Sequence, residues 1–245
     1  MLRRLAKRSQ RFTKRTLRRV GINLSRYDAR RDPANVRMRF FKRFGIDVVL
    51  DVGANVGQYG SRLRDDGYQG RIVSFEPLSA AFGLLTTRCR DDNTWTAIHV
   101  ALGDRAEARE INISRNSYSS SLLAILPNLL ATAPETEYVG KEQIRIELLD
   151  DCFDRHCGVE DNVFLKIDTQ GFTSYVLRGA TKSLDRIAGL QVELSLVALY
   201  EGEPLIGEVI AHLERLGFRL VLLIPEFTDA QTGQQLQVDG IFFRL

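Results

Sequence analysis

Apolar and polar positions along the chain follow two periods, one typical of buried strands and the other typical of amphipathic helices. Short apolar runs predict strands at residues 46–51, 71–77, 95–102, 163–168, 189–196, 218–224 and 238–244, with a weaker strand at 109–114. Helical periodicity is found at residues 34–44, 57–66, 79–90, 173–185 and 203–216. Because parallel strands that alternate with helices need right-handed crossovers, the pattern predicts a doubly wound, mostly parallel α/β sheet of about seven strands.

The end and the middle of the chain depart from this alternation. A polar turn around residues 229–235 leaves no room for a crossover helix, so the last strand is expected to run antiparallel. Residues 114–142 show no clear period and predict a long loop with a helical piece. Within it, residues 116–131 are polar and then apolar. They favour either a satellite helix that closes the core or a lid with hydroxyls near a sugar and leucines near a lipid.

Charge divides the chain into a basic N-terminal arm, residues 1–44, and an acidic body, residues 45–245. Residues 1–43 carry 16 Lys or Arg and 2 Asp or Glu, whereas the remainder carries 18 and 29. Residues 2–20 predict a helix with nine Lys or Arg beside an approximate apolar stripe. Such a helix can lie on an anionic membrane surface, or it can be a solvated helix or a disordered tail.

Composition favours a reducing compartment and indicates no membrane span. The three cysteines are an odd number without a disulfide framework. No apolar segment follows the basic N-terminus as in a secretion signal, and the longest uncharged run, residues 116–134, contains prolines and several serines. Adjacent His156 and Cys157 cannot easily face one ion with Cys152, so no metal site is expected. The predicted location is the cytoplasm, peripheral on the inner face of the membrane if the arm binds there.

The segment LDVGANVGQYG, residues 50–60, directly follows the first predicted strand. Open parallel sheets bind ligands beyond the carboxyl ends of their strands. Gly53 and Gly57 allow a tight turn and a close approach of backbone to ligand, and Asn55 tolerates unusual backbone angles. The carboxylate of Asp51 suits a cationic group, such as the amine of an amino acid, better than it suits a phosphate. The alternative is that the glycines only form a tight strand-to-helix turn.

Glu76 ends the next predicted strand, in the segment SFEP. A carboxylate at this position can accept hydrogen bonds from both hydroxyls of a ribose. A ligand that carries an amine and a ribose without a phosphate indicates S-adenosylmethionine.

The glycine-rich segment is followed in order by RIVSFEPL, which contains Glu76, and by VALGD, LKIDTQGF, LRGA, QVELSL and LYEGEPL, and then GFRLVLL and LQVDGIFFR. With them, residues 47–245 resemble the FkbM family of S-adenosylmethionine-dependent methyltransferases. The resemblance implies a class I methyltransferase, Rossmann-like fold and O-methylation of sugars, lipids or polyketide products. It also implies that Asp51, Gly53, Asn55, Gly57, Glu76 and the backbone of Ala101 and Leu102 line the cofactor.

One position departs from the family pattern. Thr173 stands where family members usually carry a glutamate after the DTQGF motif. If that glutamate holds the acceptor or a catalytic group, this protein differs in substrate or is weakened. If it only caps the following helix, Thr173 can partly replace it.

Two carboxylates are candidates for the acceptor side of the site. Asp168 ends a central strand and is the best-placed general base for a hydroxyl acceptor, although it can also be a cofactor-side or structural carboxylate. Glu193 lies in an otherwise apolar strand, where a carboxylate needs a partner, and Lys166 is a candidate for that partner. Glu193 therefore belongs either to the acceptor site or to a buried polar pair.

The leading hypothesis is an O-methyltransferase that acts on a hydroxyl, most plausibly of a sugar in a glycolipid or polysaccharide. A polyketide or lipid secondary metabolite is the alternative acceptor. A nucleic-acid methyltransferase that uses the basic arm to hold phosphates is a weaker hypothesis, because the body is acidic and the arm has few aromatic residues. The remaining hypothesis is a non-catalytic binding protein that has kept the cofactor-binding fold.

Overall fold

The computed structural model describes residues 28–245 together with Leu17, Arg19 and Gly21. Across residues 28–245 the strands are β1 (Val48–Val52), β2 (Arg71–Phe75), β3 (Trp95–Ile98), β4 (Ala101–Leu102), β5 (Glu107–Ser114), β6 (Tyr138–Glu147), β7 (Val163–Ile167), β8 (Ile187–Ser195), β9 (Arg219–Pro225) and β10 (Gln237–Phe243). A seven-stranded sheet has the order β3-β2-β1-β7-β8-β10-β9, and a three-stranded sheet has the order β4-β6-β5.

The helices of the same region connect and cover the larger sheet. They are α1 (Pro33–Phe44), α2 (Gln58–Asp65), α3 (Ser79–Cys89), α4 (Pro127–Thr132), α5 (Leu149–His156), α6 (Thr173–Arg178) and α7 (Ile206–Arg215), with short 3-10 turns at Pro134–Thr136 and Ser183–Arg186. None of the helices in the described part of the chain is long and apolar enough to cross a membrane.

The predicted fold class is confirmed by the pairing of the strands. β3, β2, β1, β7 and β8 run parallel to one another. β10 lies between β8 and β9 and is antiparallel to both. The sheet is therefore doubly wound, seven-stranded and mostly parallel, with an antiparallel last strand.

The hydrophobic core lies on both faces of the large sheet, and β1 shows why. All five residues of β1 are buried. Because successive side chains of a strand point to opposite faces, Val48 and Leu50 pack into one cluster and Val49 into the other. A strand buried on both faces reads as a continuous apolar run, which is why β1 could be located from sequence.

The predicted strand over residues 95–102 is wrong as a single element. The chain turns after Ile98, where the N–H of Val100 donates to the carbonyl of Ile98 at 3.1 Å. The first part stays in the large sheet as β3, and Ala101–Leu102 leaves it to pair with β6 in the small sheet. Because apolar residues continue through the turn, the hydrophobic pattern gives no sign that the strand is interrupted there.

The predicted loop over residues 114–142 extends too far, because β6 begins at Tyr138. Most of the first half of β6 is exposed, and only Ile144 and Ile146 are fully buried. The first half therefore carries no apolar signal, and it is a strand because it pairs antiparallel with β5.

The predicted helix over residues 173–185 is also shorter than expected, since α6 ends at Arg178. A Cβ atom added at Gly179 would lie 1.9 Å from the carbonyl oxygen of Gly103. Gly179 follows directly after α6, and only glycine leaves enough room for this close approach of two backbones.

The described residues up to Val36 and residues 37–245 belong to separate compact units. In the first, Oδ1 of Asp32 accepts a hydrogen bond from the N–H of Asn35 at 3.0 Å and so caps the first turn of α1. The helix predicted over residues 2–20 lies outside the described residues except for Leu17 and Arg19. That helix and the boundary after residue 44 stay predictions.

Candidate active site

An open cleft of about 740 Å³ lies beyond the carboxyl ends of β1, β2 and β7. Six of the residues predicted from sequence to form the site line its wall: Gly53, Asn55, Glu76, Ala101, Leu102 and Asp168. Gly57, Asp51 and Glu193 do not line this cleft. The fold thus brings together residues that are up to 115 positions apart in the sequence.

The loop after β1 approaches the end of β7 so closely that Gly53 leaves no room for a side chain. A Cβ atom at Gly53 would lie 1.8 Å from the carbonyl oxygen of Asp168, and the residue has a φ of 74°. Gly57 has a φ of 83° and precedes α2. Both glycines are required by backbone conformation, and Gly53 is required by close approach as well.

Asn55 and Glu76 are joined by a hydrogen bond inside the cleft. Oε2 of Glu76 accepts from the N–H of Asn55 at 2.7 Å, and Oε1 accepts from the N–H of Leu78 at 2.8 Å. Glu76 is only 4% exposed. Burial raises the pKa of its carboxyl group to about 7, although both amide hydrogen bonds lower it.

Asp51 lies beneath the cleft and is 0% exposed. Its carboxylate accepts a hydrogen bond from the Ser74 hydroxyl at 3.1 Å and lies 3.2 Å from Nζ of Lys166. Lys166 also lies 3.4 Å from Asp168 and donates to the carbonyl of Gly53 at 3.2 Å. Burial alone would lower the pKa of Lys166, but the negative charges of Asp168, Asp51 and Asp239 outweigh it and raise the pKa. Lys166 is therefore a cation that ties the glycine-rich loop to two carboxylates.

Two buried polar atoms on the cleft wall have no hydrogen-bond partner within the described residues. They are Oε1 of Gln58 and Oγ1 of Thr169. Buried polar atoms normally have a partner, so these two fit a bound ligand that supplies hydrogen-bonding groups. Apolar walls formed by Phe75, Leu102 and Ile111 fit the flat apolar part of the same ligand.

A second cavity of about 760 Å³ lies beside the cleft and shares two of its residues, Tyr118 and Gln170. Its remaining wall is formed by Asn116, Ser119, Leu129, Ala133, Glu135, Thr136, Glu193, Tyr200, Glu226, Phe227 and Gln237. We call it the acceptor cavity. No local sequence pattern assigns Gln170, Tyr118 or Tyr200 to the site, although Gln170 belongs to the DTQGF motif.

Gln170 lines both the cleft and the acceptor cavity, and its side chain forms hydrogen bonds to residues of both. Its Nε2 donates to Oδ1 of Asp168 at 2.8 Å and to the carboxylate of Glu193 at 3.2 Å, while its Oε1 accepts from the Tyr200 hydroxyl at 2.9 Å. Gln170 has a φ of 50°, and its carbonyl accepts from the Ser121 hydroxyl at 2.6 Å. A left-handed backbone at a residue other than glycine is held only by such surrounding contacts.

Glu193 is half-buried and lines the acceptor cavity. Its predicted partner was wrong, because Lys166 forms ion pairs with Asp51 and Asp168 and the hydrogen bond to Glu193 comes from Gln170. Burial and the nearby charge of Asp168 hold the pKa of Glu193 well above its usual value. Two neighbouring carboxylates, one ion-paired and one with a raised pKa, are thus placed where the two spaces meet.

Thr173 is the first residue of α6, and the residue before it, Phe172, makes no side-chain capping bond. The interpretation that Thr173 caps this helix is therefore wrong. Thr173 is buried and lines neither the cleft nor the acceptor cavity.

The segment 116–131 forms walls of both spaces. Its polar half contributes Ser117, Ser120 and Ser121 to the cleft, and Ser119 to the acceptor cavity. Its leucines Leu122, Leu123 and Leu129 are buried in the core, and Leu122 also lines the cleft while Leu129 lines the acceptor cavity. Elsewhere, no group of three or more His, Cys, Asp or Glu residues in the described chain is arranged to hold a metal ion.

The family model described as the Methyltransferase FkbM domain matches residues 51–220. This range contains the glycine-rich loop, Glu76, Asp168 and Glu193. No curated protein matches the chain.

Several solved structures resemble the chain at low identity. An rRNA methylase from Streptococcus thermophilus is 12% identical, with 87% of this chain and 96% of that one covered and a TM-score of 0.46. Fibrillarin from Aeropyrum pernix, solved with S-adenosyl-L-methionine bound, is 12% identical, with 80% and 66% covered and a TM-score of 0.45. A precorrin-6y C5,15-methyltransferase from Geobacter metallireducens is 13% identical, with 84% and 85% covered and a TM-score of 0.40. At this low similarity, the substrates of those proteins do not indicate which substrate this chain methylates.

Proposed function

The chain belongs to the FkbM family of methyltransferases and uses S-adenosylmethionine, and we propose that it methylates a hydroxyl group of a sugar in a glycolipid or polysaccharide. The observation that carries this proposal is that the cleft and the acceptor cavity adjoin at Tyr118 and Gln170. The cleft and the acceptor cavity share Gln170, whose amide holds both Asp168 and Glu193. Methyl transfer needs a donor and an acceptor to meet in line, and two adjoining spaces could hold one partner each.

The cleft residues are proposed to hold the cofactor. Glu76 would accept hydrogen bonds from the ribose hydroxyls, and the bare backbone at Gly53 would let the ligand lie against the loop. Asp51 does not line the cleft, so its proposed contribution to the amine is its negative charge beneath the loop. Ala101 and Leu102 would contribute backbone and apolar wall. When bound, S-adenosylmethionine supplies a methyl group on a positively charged sulfur.

Asp168 and Glu193 are proposed as the catalytic carboxylates. As the acceptor oxygen takes the methyl group, its proton must pass to a base. Glu193 lines the acceptor cavity and has a raised pKa, which makes its ionised form a stronger proton acceptor. Asp168 lines the cofactor side and is ion-paired with Lys166 at 3.4 Å, so it is the candidate that orients the site and balances charge.

A polyketide or lipid hydroxyl is the second candidate acceptor. It is favoured by the apolar part of the acceptor cavity, formed by Leu129, Ala133 and Phe227. A nucleic acid is disfavoured, because no Lys or Arg is among the described residues that line this cavity. The proposed attachment of residues 2–20 to an anionic membrane surface would place the enzyme near a glycolipid.

The test is transfer from radiolabelled S-adenosylmethionine to fractionated polysaccharide and glycolipid extracts, with nucleic acid as a parallel substrate. A labelled product should carry an added methyl ether, which resists mild base and is located by NMR and mass spectrometry. Label on a ring nitrogen, on a carboxyl ester or only on nucleic acid would contradict O-methylation of a sugar. Absence of binding by the demethylated cofactor S-adenosylhomocysteine would contradict the cofactor site itself.

A further inference from the structure

Several hydrogen-bond donors that line the acceptor cavity are bonded to other protein groups, whereas several of its acceptors are not. Its donors are largely consumed within the protein: the Gln170 amide donates to Asp168 and Glu193, the Tyr200 hydroxyl to Gln170, and the Thr136 hydroxyl to the carbonyl of Ala133. The hydroxyls of Tyr118 and Ser119, which donate to no described residue, are among the donors that stay open to a ligand.

The acceptors of the same cavity are largely unused. Gln237 is 5% exposed and lines the cavity, yet its Oε1 makes no hydrogen bond within the described residues, and its Nε2 only a weak one to Ser195 at 3.4 Å. The carboxylate of Glu193 receives only the Gln170 amide, at 3.2 and 3.3 Å. Oε1 of Gln237 is therefore open to accept a hydrogen bond from a bound group.

Among the described residues, the side chains that can charge the acceptor cavity at neutral pH are all carboxylates. Glu135, Glu193 and Glu226 are its ionisable carboxylates, and none of them forms an ion pair with a described Lys, Arg or His. Arg62 lowers the pKa of Glu226, but burial and Asp239 raise it by more. A phosphate or sulfate placed here would meet like charges and few donors, whereas an ammonium group would meet acceptors.

Aromatic rings complete this surface. Tyr118 is 57% exposed at the junction with the cleft, and Tyr200 and Phe227 lie on the cavity wall. Aromatic faces attract cations and cover the apolar faces of flat or ring-shaped ligands. Carboxylates and aromatic rings together therefore suit a cationic polyhydroxylated molecule.

We propose that the acceptor cavity binds an amine-bearing polyol, an amino sugar or aminocyclitol with a protonated amine, and not a phosphorylated or sulfated acceptor. This inference rests on the proposed function, since it assumes that the cavity beside the cofactor cleft is the acceptor site. Free carboxylates and the Gln237 amide oxygen receive the ammonium and hydroxyl hydrogens. The hydroxyl to be methylated lies toward Gln170, where the two spaces meet.

The experiment compares three disaccharide probes that share one skeleton. They are the β-1,4-linked disaccharide of glucosamine with free amines, its N-acetylated form and its N-sulfated form. Binding to the full-length protein is measured by calorimetry and saturation-transfer NMR in the presence of saturating S-adenosylhomocysteine. The free amine should bind at least about tenfold more tightly than the N-acetylated form, and the N-sulfated form most weakly, as expected for charge-assisted contacts.

Substitution of single carboxylates tests which residues produce the preference for the free-amine probe. Glu226→Gln and Glu135→Gln should each reduce the ratio between free amine and N-acetylated probe severalfold, because they remove charge without changing shape. Glu137→Gln is the control, since Glu137 lies beside the same segment, pairs with Arg115 and does not line the cavity. Its ratio should equal that of the unaltered protein.

Two results would overturn the inference. One is binding of the N-acetylated or N-sulfated probe as tight as that of the free amine. The other is binding of none of the three probes while S-adenosylhomocysteine binds. Failure of S-adenosylhomocysteine to bind would instead count against the proposed function, so the two failures are distinguishable.

Discussion

The main-chain N–H of Asn55 donates a 2.7 Å hydrogen bond to Oε2 of Glu76, so the glycine-rich loop after β1 is tied to the residue that follows β2. The same carboxylate holds the N–H of Leu78 through its other oxygen. Each carboxylate oxygen has a further lone pair, which leaves Glu76 able to accept from a ligand. Loop conformation and ligand binding therefore depend on one side chain.

Glu76→Ala should weaken binding of S-adenosylhomocysteine by about 1.5–3 kcal/mol, the loss expected for hydrogen bonds to a charged acceptor. That corresponds to roughly 10- to 150-fold in Kd by calorimetry. Glu160→Ala is the control, because Glu160 is exposed and does not line the cleft, and the affinity of this variant should be unchanged. Unaltered affinity of Glu76→Ala, or tight binding of NAD by the unaltered protein, would contradict the proposed cofactor site.

Affinity for the cofactor should fall as the pH is lowered through about 7, the pKa to which burial raises Glu76. The protonated carboxyl loses acceptor capacity, so proton binding competes with the ribose hydroxyls. For folding the sign is opposite, because a raised pKa adds stability below about 4.5 that is lost as the pH rises through about 7. Calorimetry from pH 5.5 to 8.5 measures the first effect, and Glu76→Gln should flatten it. An equally steep profile in Glu76→Gln would assign the titration to Glu193 or another group.

Gly53→Ala should destabilise the fold by about 3 kcal/mol or more, since it combines a left-handed backbone with overpacking. The added Cβ would lie 1.8 Å from the carbonyl oxygen of Asp168. Gly83→Ala is the matched control, because nothing lies within 4 Å of a Cβ at this position of α3. It should stabilise the protein by about 0.5–1 kcal/mol through helix propensity. Urea unfolding measures both, and equal stability of the two variants would contradict the close approach at Gly53.

Asp168→Asn and Glu193→Gln should lower turnover at saturating cofactor, and loss of a general base costs about 10²–10⁴-fold. Cofactor affinity should change much less in Glu193→Gln, because Glu193 does not line the cofactor cleft. The rates are measured with the acceptor that the labelling experiment identifies. If affinity falls in Asp168→Asn while saturated turnover is kept, Asp168 is a cofactor ligand. EDTA should leave activity intact.

Full-length protein should float with anionic liposomes at low salt, sink at high salt and ignore neutral liposomes. Each cation near such a surface contributes about 1 kcal/mol, and residues 2–20 carry nine. A shortened protein that begins at Asp32 should remain at the bottom and still bind S-adenosylhomocysteine. If full-length protein stays at the bottom at low salt, the arm is not a membrane anchor, and an acceptor away from the membrane is favoured.

The pairing of Lys166 shows what residue pattern alone could not decide. From sequence, Lys166 was the candidate partner of Glu193 because both lie in predicted neighbouring strands. The register places Lys166 beside Asp51 on one side and Gln191 on the other. Glu193 lies two residues further along β8, opposite Asp239. Register depends on how whole strands align, and no local signal encodes it.

The sequence by itself determined the doubly wound sheet, the antiparallel last strand and the glycine-rich loop that faces the cleft. These follow from local periods and from the backbone angles that only glycine adopts easily, so a single segment carries the information. Only the tertiary structure decided that β4, β5 and β6 form a second sheet, that Asp51 lies beneath the cleft, and that Gln170 joins two cavities. Those features depend on contacts between segments far apart in the chain, and their residues look ordinary until the strands are brought into register.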